Sequence, residues 1–554
     1  MARPKYFIFD RRTAGGVRKY QDAVKISLIV LLGLSVGLHL LVLFRSSLMD
    51  GGAGGGSMGC PDVVQQSAVF ISGPRSKPAP SASSWSSSSD HNSQVERGSA
   101  GGRRPVAADG RLPAAGADQQ PAAAAAAGQA HISAAADALP LDDAVGKAGK
   151  RKDYKALWRY YRLTANVSDS PYARPRQPLP PHKNMADVYK SNGSQFGNTV
   201  WDRFHAGITP YQLYQDPAVV DAVLKDVQTA AITKAEMKDG GTQLKLFIEF
   251  EGPGKALFKP LRLNNTQEDN PNHFYFNYFE RHYSEIAAYH LDRVLGFRRA
   301  PPVTGRMVNL ITDVRNRADD NLRDTFYISP AGNICLTGAC KYYCDTSHGL
   351  CGSPENLPGS FSAFLPEDDG PSLRMTWRHP WRRSYSRLKL APWEMDNTYC
   401  LLIKTIEPYD AGRRMLDIMD MAILDYIANN LDRHHYETFY EFGNESSPIH
   451  LDHGRSFNKW KTDDPSILTP LTQCCLIRRS TLKRLLDLTR GPKLSHLLDE
   501  SMRSDPLYPV LNQEHLDAVD RRVHGALDAI ETCLRNAKNP SDIIIQEDLK
   551  SWKL

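Results

Sequence analysis

LDRHHYETF (Leu431–Phe439) and IHLDHGRSF (Ile449–Phe457) are the two segments that most restrict the fold and chemistry of this chain of 554 residues. They carry three acids, Asp432, Glu437 and Asp452, within twenty-one residues. A polar turn separates two apolar segments, which predicts two acids at the mouth of one loop and the third on the next strand. Such a set can hold a divalent metal on phosphates and accept a hydroxyl proton, as phosphoryl transfer requires.

The region upstream of these acids predicts a helix and then a β-hairpin. Apolar residues recur at helical spacing from Asp216 to Gln228. The alternation in LKLFIEF and ALFKP, split by the turn EGPG, is typical of two paired strands. This hairpin presents Gln243 and Lys245 on its first strand and Lys259 on its second. A helix from about Glu280 to Leu295 follows.

The remaining patterns complete a two-lobed α+β fold with a cleft between the lobes. SFSAFLPEDD predicts a short strand, and CLTGACKYYCDTSHGLC predicts a small disulfide-tied insertion. RRMLDIMDMAILDYIANNLD predicts a helix of some twenty residues, buried nearly all round, that ends just before Asp432. Amphipathic helices follow to the end of the chain. Strands first and helices later are typical of the α+β class.

The N-terminal part predicts a membrane anchor and a stalk. Ile26 to Phe44 form a run without formal charge, close to the length of about 20 residues that a spanning helix needs. Basic residues are concentrated before this run, which predicts a type II orientation with the C-terminal region in the lumen. A long uncleaved or late-cleaved signal is the alternative. Residues 45–150 are rich in Gly, Ser, Ala and Pro and predict a disordered stalk. The basic cluster Lys147 to Lys155 is either a processing site or a solvated linker.

The cysteine pattern agrees with a lumenal domain. Of the nine cysteines, Cys60 lies in the stalk and eight lie in the predicted folded region, an even number that favours four disulfides. Zinc is the alternative, because Cys340 and Cys344 have ligand-like spacing, although the adjacent pair Cys474 and Cys475 suits no ordinary zinc site. Glycosylation sequons that agree with a secretory route occur at Asn166, Asn192, Asn264 and Asn444. The net charge is +6, and the basic residues are scattered among acidic ones, so the sequence gives no case for nucleic-acid binding.

The residues needed for phosphoryl transfer occur in the order found in protein kinases. Lys259 on a strand and a glutamate on the next helix, Glu280 or Glu285, resemble the ion pair that orients the nucleotide. Asp432 has the position of the catalytic base, and Asp452 that of a metal ligand. The usual GxGxxG, HRD and DFG motifs are missing, and GGTQ (240–243) is the nearest glycine-rich turn.

Several of these residues also have ordinary structural interpretations. Asp432 could cap a helix, and Lys245 could be a surface lysine of a hairpin. We interpret His434 and His435 as packing or hydrogen-bonding residues, because adjacent histidines point apart on most backbones. The segment HPWRRSY (379–385) either binds an acidic substrate or is a solvated basic loop.

The longer motifs resemble one family. ERHYSEIAAYHLDRVLGFRRAPPV, HPWRRSY, LDIMDMAILDY, NLDRHHYETF, IHLDHGRSF and SILTPLTQCC are similar to segments of the secretory kinases called family with sequence similarity 20. The resemblance runs from about Gly197 to about Leu534 and is strongest to the Golgi casein kinases. It implies an atypical, disulfide-bonded protein-kinase-like fold that uses ATP and Mn2+, with Mg2+ as an alternative that oxygen ligands fit equally.

The resemblance also implies a role for individual positions. Asp432 matches the catalytic base, and Glu280 and Asp452 match the metal ligands. Nucleotide-contacting or ion-paired positions, including the hinge that holds adenine, match Gln243, Lys245, Lys259, Glu285, Ser362, Ala363, Phe364, Leu365, Glu437 and Asp452. The implied disulfides are Cys335–Cys351, Cys340–Cys344, Cys400–Cys474 and Cys475–Cys533. The family's pseudokinase has Gln at the position of Glu280, so Glu here implies a working enzyme.

These observations lead to one expected function and two alternatives. We expect a Golgi or secreted serine/threonine protein kinase that phosphorylates Ser in Ser-x-Glu sequences of secreted proteins. The alternatives are a proteoglycan xylose kinase and a pseudokinase that activates a paralogue. Expected partners are secreted substrates and either a second copy or a pseudokinase paralogue. The predicted regions are a cytosolic tail 1–25, an anchor 26–44, a stalk 45–150, an N-terminal lobe 151–365, a C-terminal lobe 366–540 and a tail 541–554.

Overall fold

The computed structural model describes residues 153–176, 179, 182–238, 240–270, 273–366 and 374–552. The predicted cytosolic tail, membrane anchor, stalk and Cys60 lie outside these residues. Within the described ranges, no helix combines the length and the apolar character needed to cross a bilayer.

The described residues form a mixed fold of helices and short strands. The α-helices are α1 Lys155–Leu163, α2 Met185–Ser191, α3 Val200–Ala206, α4 Pro217–Thr229, α5 His282–Leu295, α6 Asp320–Arg323, α7 Pro392–Met395, α8 Tyr399–Ile403, α9 Arg414–Ala428, α10 Thr469–Cys474, α11 Arg479–Arg490, α12 Leu494–Met502 and α13 Gln513–Arg535. The strands are β1 Ile232–Met237, β2 Leu246–Phe250, β3 Lys255–Pro260, β4 Val303–Asn309, β5 Phe326–Ile328, β6 Ile334–Leu336, β7 Leu350–Cys351, β8 Asn356–Ala363, β9 Arg374–Arg378, β10 His435–Phe439, β11 Ile477–Arg478 and β12 Ile544–Ile545.

An antiparallel sheet in the order β1-β2-β3-β8-β4 forms the core of the N-terminal half. The predicted hairpin is confirmed as β2 and β3, with Leu246 opposite Phe258. Strand β3 is buried over nearly its whole length because β8 pairs along its other edge, with Lys259 opposite Ser360. This central position keeps Lys259 away from bulk water.

Helix α5 packs between this sheet and the C-terminal half. It contacts β4 and β8 on one side and α12 and α9 on the other, and it ends where Gly296 adopts a left-handed φ of 72°. Glycine takes that conformation without a Cβ clash. The helix starts at His282, so the prediction that Glu280 lies on it is wrong: Glu280 precedes the first turn. Gln243 and Lys245 likewise precede β2 rather than lying on it.

The cysteine-bounded segment contributes to β6 and β7 of a small sheet in the order β5-β6-β7. Cys335 and Cys351 are opposite each other on β6 and β7 and are bonded. The other three disulfides also join the pairs that the family resemblance implied: Cys340–Cys344, Cys400–Cys474 and Cys475–Cys533. The four bridges therefore occupy all eight cysteines of the described residues.

Helix α9 is buried along its whole length, as its apolar sequence predicts. It packs on α13, α10 and β11 and ends at Asn429, which has a left-handed φ of 57°. Its three buried acids are each paired with arginines from elsewhere in the chain. Asp417 contacts Arg299 at 2.9 Å and Arg478 at 2.9 Å, and Asp425 contacts Arg433 at 2.8 Å.

The last described residues are an integral part of the C-terminal half. Ile544 pairs in parallel with Ile477 of β11, and Glu547 contacts Arg478 at 2.6 Å. Trp552 is fully buried, and its indole nitrogen donates to the carbonyl oxygen of Ala173 at 3.1 Å. Residues 541–552, which belong to the predicted tail 541–554, thus connect β11 to the start of the folded region.

Candidate functional site

Three carboxylates converge on the ammonium group of Lys259. Its Nζ lies 2.6 Å from Glu285 Oε1, 2.8 Å from Asp452 Oδ1 and 3.0 Å from Glu280 Oε2. Lys259 and the two glutamates are buried, whereas the Asp452 side chain is 38% exposed. The cluster therefore opens to solvent at Asp452.

Each carboxylate reaches the cluster from a different element. Glu285 lies in the first turn of α5 and also accepts a hydrogen bond from the backbone N–H of His453 at 3.1 Å. Asp452 was predicted on a strand; in the structure it follows an isolated bridge at Ile449 and has a left-handed φ of 58°. A non-glycine residue in that conformation is uncommon and is held by its surroundings.

Gln243 positions Glu280. Its side-chain amide donates to the carbonyl oxygen of Tyr278 at 2.7 Å and accepts from the backbone N–H of Glu280 at 3.0 Å. Both contacts are buried, so the chain before α5 is fixed although it is not helical. In the described structure Gln243 therefore supports a site residue through the backbone.

The charges at the cluster shift the pKa values of its members. Burial lowers the pKa of Lys259, but Asp452, Glu280 and Glu285 outweigh it and hold that pKa well above its usual range. Burial raises the pKa of Asp452, but the charges of Lys259 and Lys245 lower it by a larger amount. The net pKa is therefore well below its usual range. For Glu285 burial dominates and the pKa is raised. Asp452 is therefore the member of the cluster that combines a lowered pKa with exposure to solvent.

Asp432 lies on the loop between α9 and β10, held by a neighbouring buried ion pair. Arg433 binds both oxygens of Asp425 at 2.8 Å, which fastens the loop to the last turn of α9. The backbone N–H of Asp432 donates to Asn430 Oδ1 at 3.0 Å. His434 Nδ1 lies 2.7 Å from the carbonyl oxygen of Asp432, so His434 is a loop hydrogen-bonding residue, as interpreted from the sequence.

Arg455 also belongs to the site, although nothing in the sequence predicts a role for it. It is buried, and its Nη1 contacts Asp432 Oδ2. Its Nη2 donates to Thr242 Oγ1 at 3.0 Å, in the glycine-rich turn. Thr242 Oγ1 is also 3.4 Å from Glu280 Oε1. Arg455 lay within the motif IHLDHGRSF, but its partner Asp432 is 23 residues away, and no local pattern indicates that contact.

Of the predicted hinge residues, Ser362 and Ala363 end β8, and Phe364 and Leu365 follow it. Ala363 N–H donates to Pro302 O at 2.8 Å, and Phe364 N–H donates to Lys255 O at 2.9 Å. The carbonyl oxygen of Phe364 contacts His205 Nε2 at 3.0 Å. Those three backbone groups are committed to the fold, and Leu365 is buried.

Glu437 lies on β10. It is buried and lies 3.6 Å from Arg374 Nε, whose guanidinium stands 5.7 Å from the centre of the Phe364 ring. Arg374 thus links Glu437 to the hinge. Lys245 is buried as well, and its charge acts on Asp452, so it is not the exposed surface lysine of the structural alternative.

The donor set fits a hard divalent cation. Glu280 and Asp452 offer carboxylate oxygens, and Mg2+ and Mn2+ prefer oxygen ligands, commonly one or two carboxylates together with phosphate oxygens. Gly454 packs closely against Glu280: a Cβ on Gly454 would lie only 3.0 Å from Glu280 Cβ and Cγ. Within the described ranges, no three His, Cys, Asp or Glu side chains form a complete metal site by themselves. The phosphates of a nucleotide would complete the ligand set.

Comparison with known proteins agrees with this geometry. A family model described as Golgi casein kinase, C-terminal, Fam20 matches residues 199–542. The chain is 53% identical over 341 residues to the extracellular serine/threonine protein CG31145 of Drosophila melanogaster, covering 61% of this chain and 64% of that one. It is 51% identical over 353 residues to the extracellular serine/threonine protein kinase FAM20C of Homo sapiens, covering 63% and 60%. The chain therefore matches less than two thirds of either relative's length.

This chain is also similar to solved protein structures. The crystal structure of the Golgi casein kinase with Mn/ADP bound is 38% identical, with a TM-score of 0.66 over 74% of this chain and 96% of that one. Proteins named pseudokinase FAM20A and glycosaminoglycan xylosylkinase match as well. The similarity thus includes relatives named as a protein kinase, a pseudokinase and a xylosylkinase.

Proposed function

Because this chain belongs to the Fam20 family of Golgi casein kinases, we propose that it transfers the γ-phosphoryl group of ATP to serine in Ser-x-Glu sequences of secreted proteins. The observation that carries the proposal is the buried lysine, Lys259, with three carboxylates within 3.0 Å. Lysine and acids in that arrangement suit a metal-bound triphosphate.

Each group of the site has a task in this reaction. Lys259, held by Glu285, contacts and orients the phosphates. Glu280 and Asp452 hold the divalent cation, which when bound neutralises charge on the phosphate oxygens. Asp432 accepts the seryl hydroxyl proton, because its Oδ1 is buried and accepts no hydrogen bond from the described residues, with His434 Nδ1 3.4 Å away. Such a base contributes about 10²- to 10⁴-fold to a rate.

The surroundings of Asp432 favour an acidic acceptor. The ring of His434 lies 4.7 Å from that of His435 and 5.5 Å from that of the exposed Tyr385. Burial, His434 and the charges of Arg378 and Arg382 lower the pKa of His435 to about 4. Two exposed arginines therefore act electrostatically on a residue beside the base. A glutamate two positions after the target serine would gain from that positive charge.

One transfer assay tests the proposal against its alternatives. The purified full chain is incubated with Mn2+ and labelled ATP, and offered a Ser-x-Glu peptide, a matched Ser-x-Gln peptide or a xylose-bearing tetrasaccharide. We expect label on the Ser-x-Glu peptide, much less on Ser-x-Gln, and none from an Asp432→Ala variant. Label on the sugar alone supports a xylose kinase. Absence of transfer from wild type and Asp432→Ala alike supports a pseudokinase activator.

The location and partners form part of the same proposal. We propose a type II Golgi protein with its catalytic domain in the lumen, released in part by cleavage near the basic cluster. The four disulfides support an oxidising compartment. A second copy or a pseudokinase paralogue is the proposed partner, and co-purification of the tagged chain with each of them is the corresponding test.

A further inference from the structure

Resting on the proposed function, we propose that Arg455 is a positioning residue that selects which oxygen of Asp432 acts as the base. Its guanidinium contacts Asp432 Oδ2 and leaves Oδ1 for the incoming serine. Asp432 Oδ1 is buried and accepts no hydrogen bond from the described residues. His434 Nδ1 lies 3.4 Å from Oδ1, but its hydrogen bond goes to the carbonyl oxygen of Asp432 at 2.7 Å. A buried carboxylate oxygen that accepts no hydrogen bond is costly unless a ligand supplies the missing donor.

Arg455 is itself fixed from three directions. Nη2 donates to Thr242 Oγ1 at 3.0 Å, and Nε lies 3.4 Å from the carbonyl oxygen of Tyr278. Its guanidinium stands 5.3 Å from the centre of the Phe276 ring. Burial lowers the pKa of Arg455, but the charge of Asp432 outweighs it and keeps the pKa above the usual range. Arg455 is therefore a permanently charged and rigid partner.

The geometry requires arginine at this position. A guanidinium has several N–H donors in a planar fork and can bind a carboxylate, a hydroxyl and a carbonyl at once, whereas an ammonium is a single point of charge. Without that fork, the Asp432 carboxylate can turn about its side-chain bonds and present either oxygen. Positioning of this kind affects the turnover step more than substrate binding.

The contacts of Arg455 connect the proposed base, Asp432, with the glycine-rich turn near the proposed metal ligand Glu280. Thr242 belongs to the glycine-rich turn, and its hydroxyl lies 3.4 Å from Glu280 Oε1, a proposed metal ligand. Asp432 would receive the proton of the acceptor. Arg455 therefore spans from the acceptor side to the nucleotide side through two side-chain contacts, and movement of the turn on nucleotide binding would be transmitted to the base.

Variants of Arg455 in the full chain test this role. For Arg455→Met we expect kcat for the Ser-x-Glu peptide to fall about 10- to 100-fold, as for other residues that orient a reacting group. The KM for ATP should change less than about threefold. The increase in melting temperature caused by Mn2+ and ADP should be close to that of wild type. Arg455→Lys should recover part of kcat, because it restores one charged contact to Asp432 but not the fork.

Arg522 provides the matched control. It is also buried and ion-paired, with Asp463 at 2.8 Å, but it lies on α13 and contacts none of the site residues in the described structure. Arg522→Met should lower the melting temperature and leave kcat of the folded fraction unchanged.

Three results would overturn the role of Arg455. An unchanged or increased kcat in Arg455→Met would mean that Arg455 blocks the base or is neutral. A fall in kcat that matches the loss of folded protein, as in Arg522→Met, would make Arg455 merely structural. Absence of transfer by wild type would remove the proposed function as well, which distinguishes that failure from the other two.

Discussion

Replacing Glu280 with Gln should abolish most phosphoryl transfer while leaving the protein folded. The substitution keeps the size of the side chain and removes one of the three charges that surround Lys259. A neutral amide is a poorer ligand for a hard divalent cation than a carboxylate. We therefore expect weaker Mn2+ binding and a fall in transfer of at least about 100-fold.

The stability of the metal-free protein should barely change, because two electrostatic effects oppose each other. At an effective dielectric constant of about 20, the attraction between Glu280 and Lys259 at 3.0 Å is about 5.5 kcal/mol. The other two carboxylate oxygens contact the same nitrogen, so each lies within about 6 Å of the Glu280 oxygen and repels it by at least about 2.8 kcal/mol. The two repulsions together match the attraction, and the free energy of unfolding should stay within about 1 kcal/mol.

The stabilisation caused by Mn2+ binding should differ between Glu280→Gln and wild type. At a Mn2+ concentration about 100 times the wild-type Kd, with ADP present, binding stabilises the wild type by about 2.7 kcal/mol. If the affinity falls about 100-fold, the stabilisation of the variant falls to about 0.4 kcal/mol. Thermal unfolding with and without Mn2+, beside the peptide transfer assay, measures both quantities.

Glu285→Gln is the matched comparison for this experiment. Glu285 contacts the same lysine at 2.6 Å but has no proposed metal contact. We expect Glu285→Gln to retain most of the stabilisation by Mn2+ and ADP while transfer falls. Full transfer by Glu280→Gln would refute the metal role, and so would an inactive variant whose unfolding free energy falls by several kcal/mol, since unfolding would then explain the loss.

Three further perturbations follow from the packing and charges. Trp552→Ala should destabilise the protein by about 3–5 kcal/mol in chemical denaturation, because the ring is fully buried; no change would mean that the C-terminal segment does not pack as described. Gly454→Ala should weaken Mn2+ binding about tenfold, because the new Cβ would displace Glu280, and unaltered Mn2+ titration would contradict that crowding. Burial, with a smaller effect of Arg293, lowers the pKa of His290 from 6.5 to about 3, so the neutral imidazole costs no stability above pH 6.5, and stability is lost as the pH falls from 6.5 toward 3. Acidification from about pH 7.5 to about pH 5.5 should therefore cost about 1.4 kcal/mol less in His290→Gln than in wild type, and equal losses would argue against a neutral buried imidazole.

Local patterns were sufficient for the elements that have strong periodicity. The hairpin β2–β3 and helix α4 follow their apolar spacing, and α9 is buried all round as its composition predicts. The boundary of α5 was placed two residues too early, because the apolar and aromatic run before His282 continues the helical composition. Its backbone is instead held by Gln243 through tertiary hydrogen bonds.

The site itself was predictable in composition but less so in arrangement. Lys259, Glu280, Glu285 and Asp452 were all named from the order of acids and lysine, and the structure brings them together. Arg455 was present in a quoted motif, yet its contacts with Asp432 and Thr242 could not be read from spacing. Glu437 lies 3.6 Å from Arg374 Nε, a contact across 63 positions that no local spacing indicates.

The order of residues was enough to establish which chemical groups are available, which segments alternate or repeat at helical spacing, and how many cysteines can pair. These properties depend on near neighbours along the chain, so they can be read from the printed sequence. The contact between Lys259 and Asp452 spans 193 positions and depends on how β3, α5 and the loop at Ile449 pack together. Ion pairs and hydrogen bonds require distances near 3 Å and defined directions, which folding alone provides. Packing therefore decided that one lysine meets three acids, and that Arg455 contacts one oxygen of Asp432 while the other accepts no hydrogen bond from the described residues.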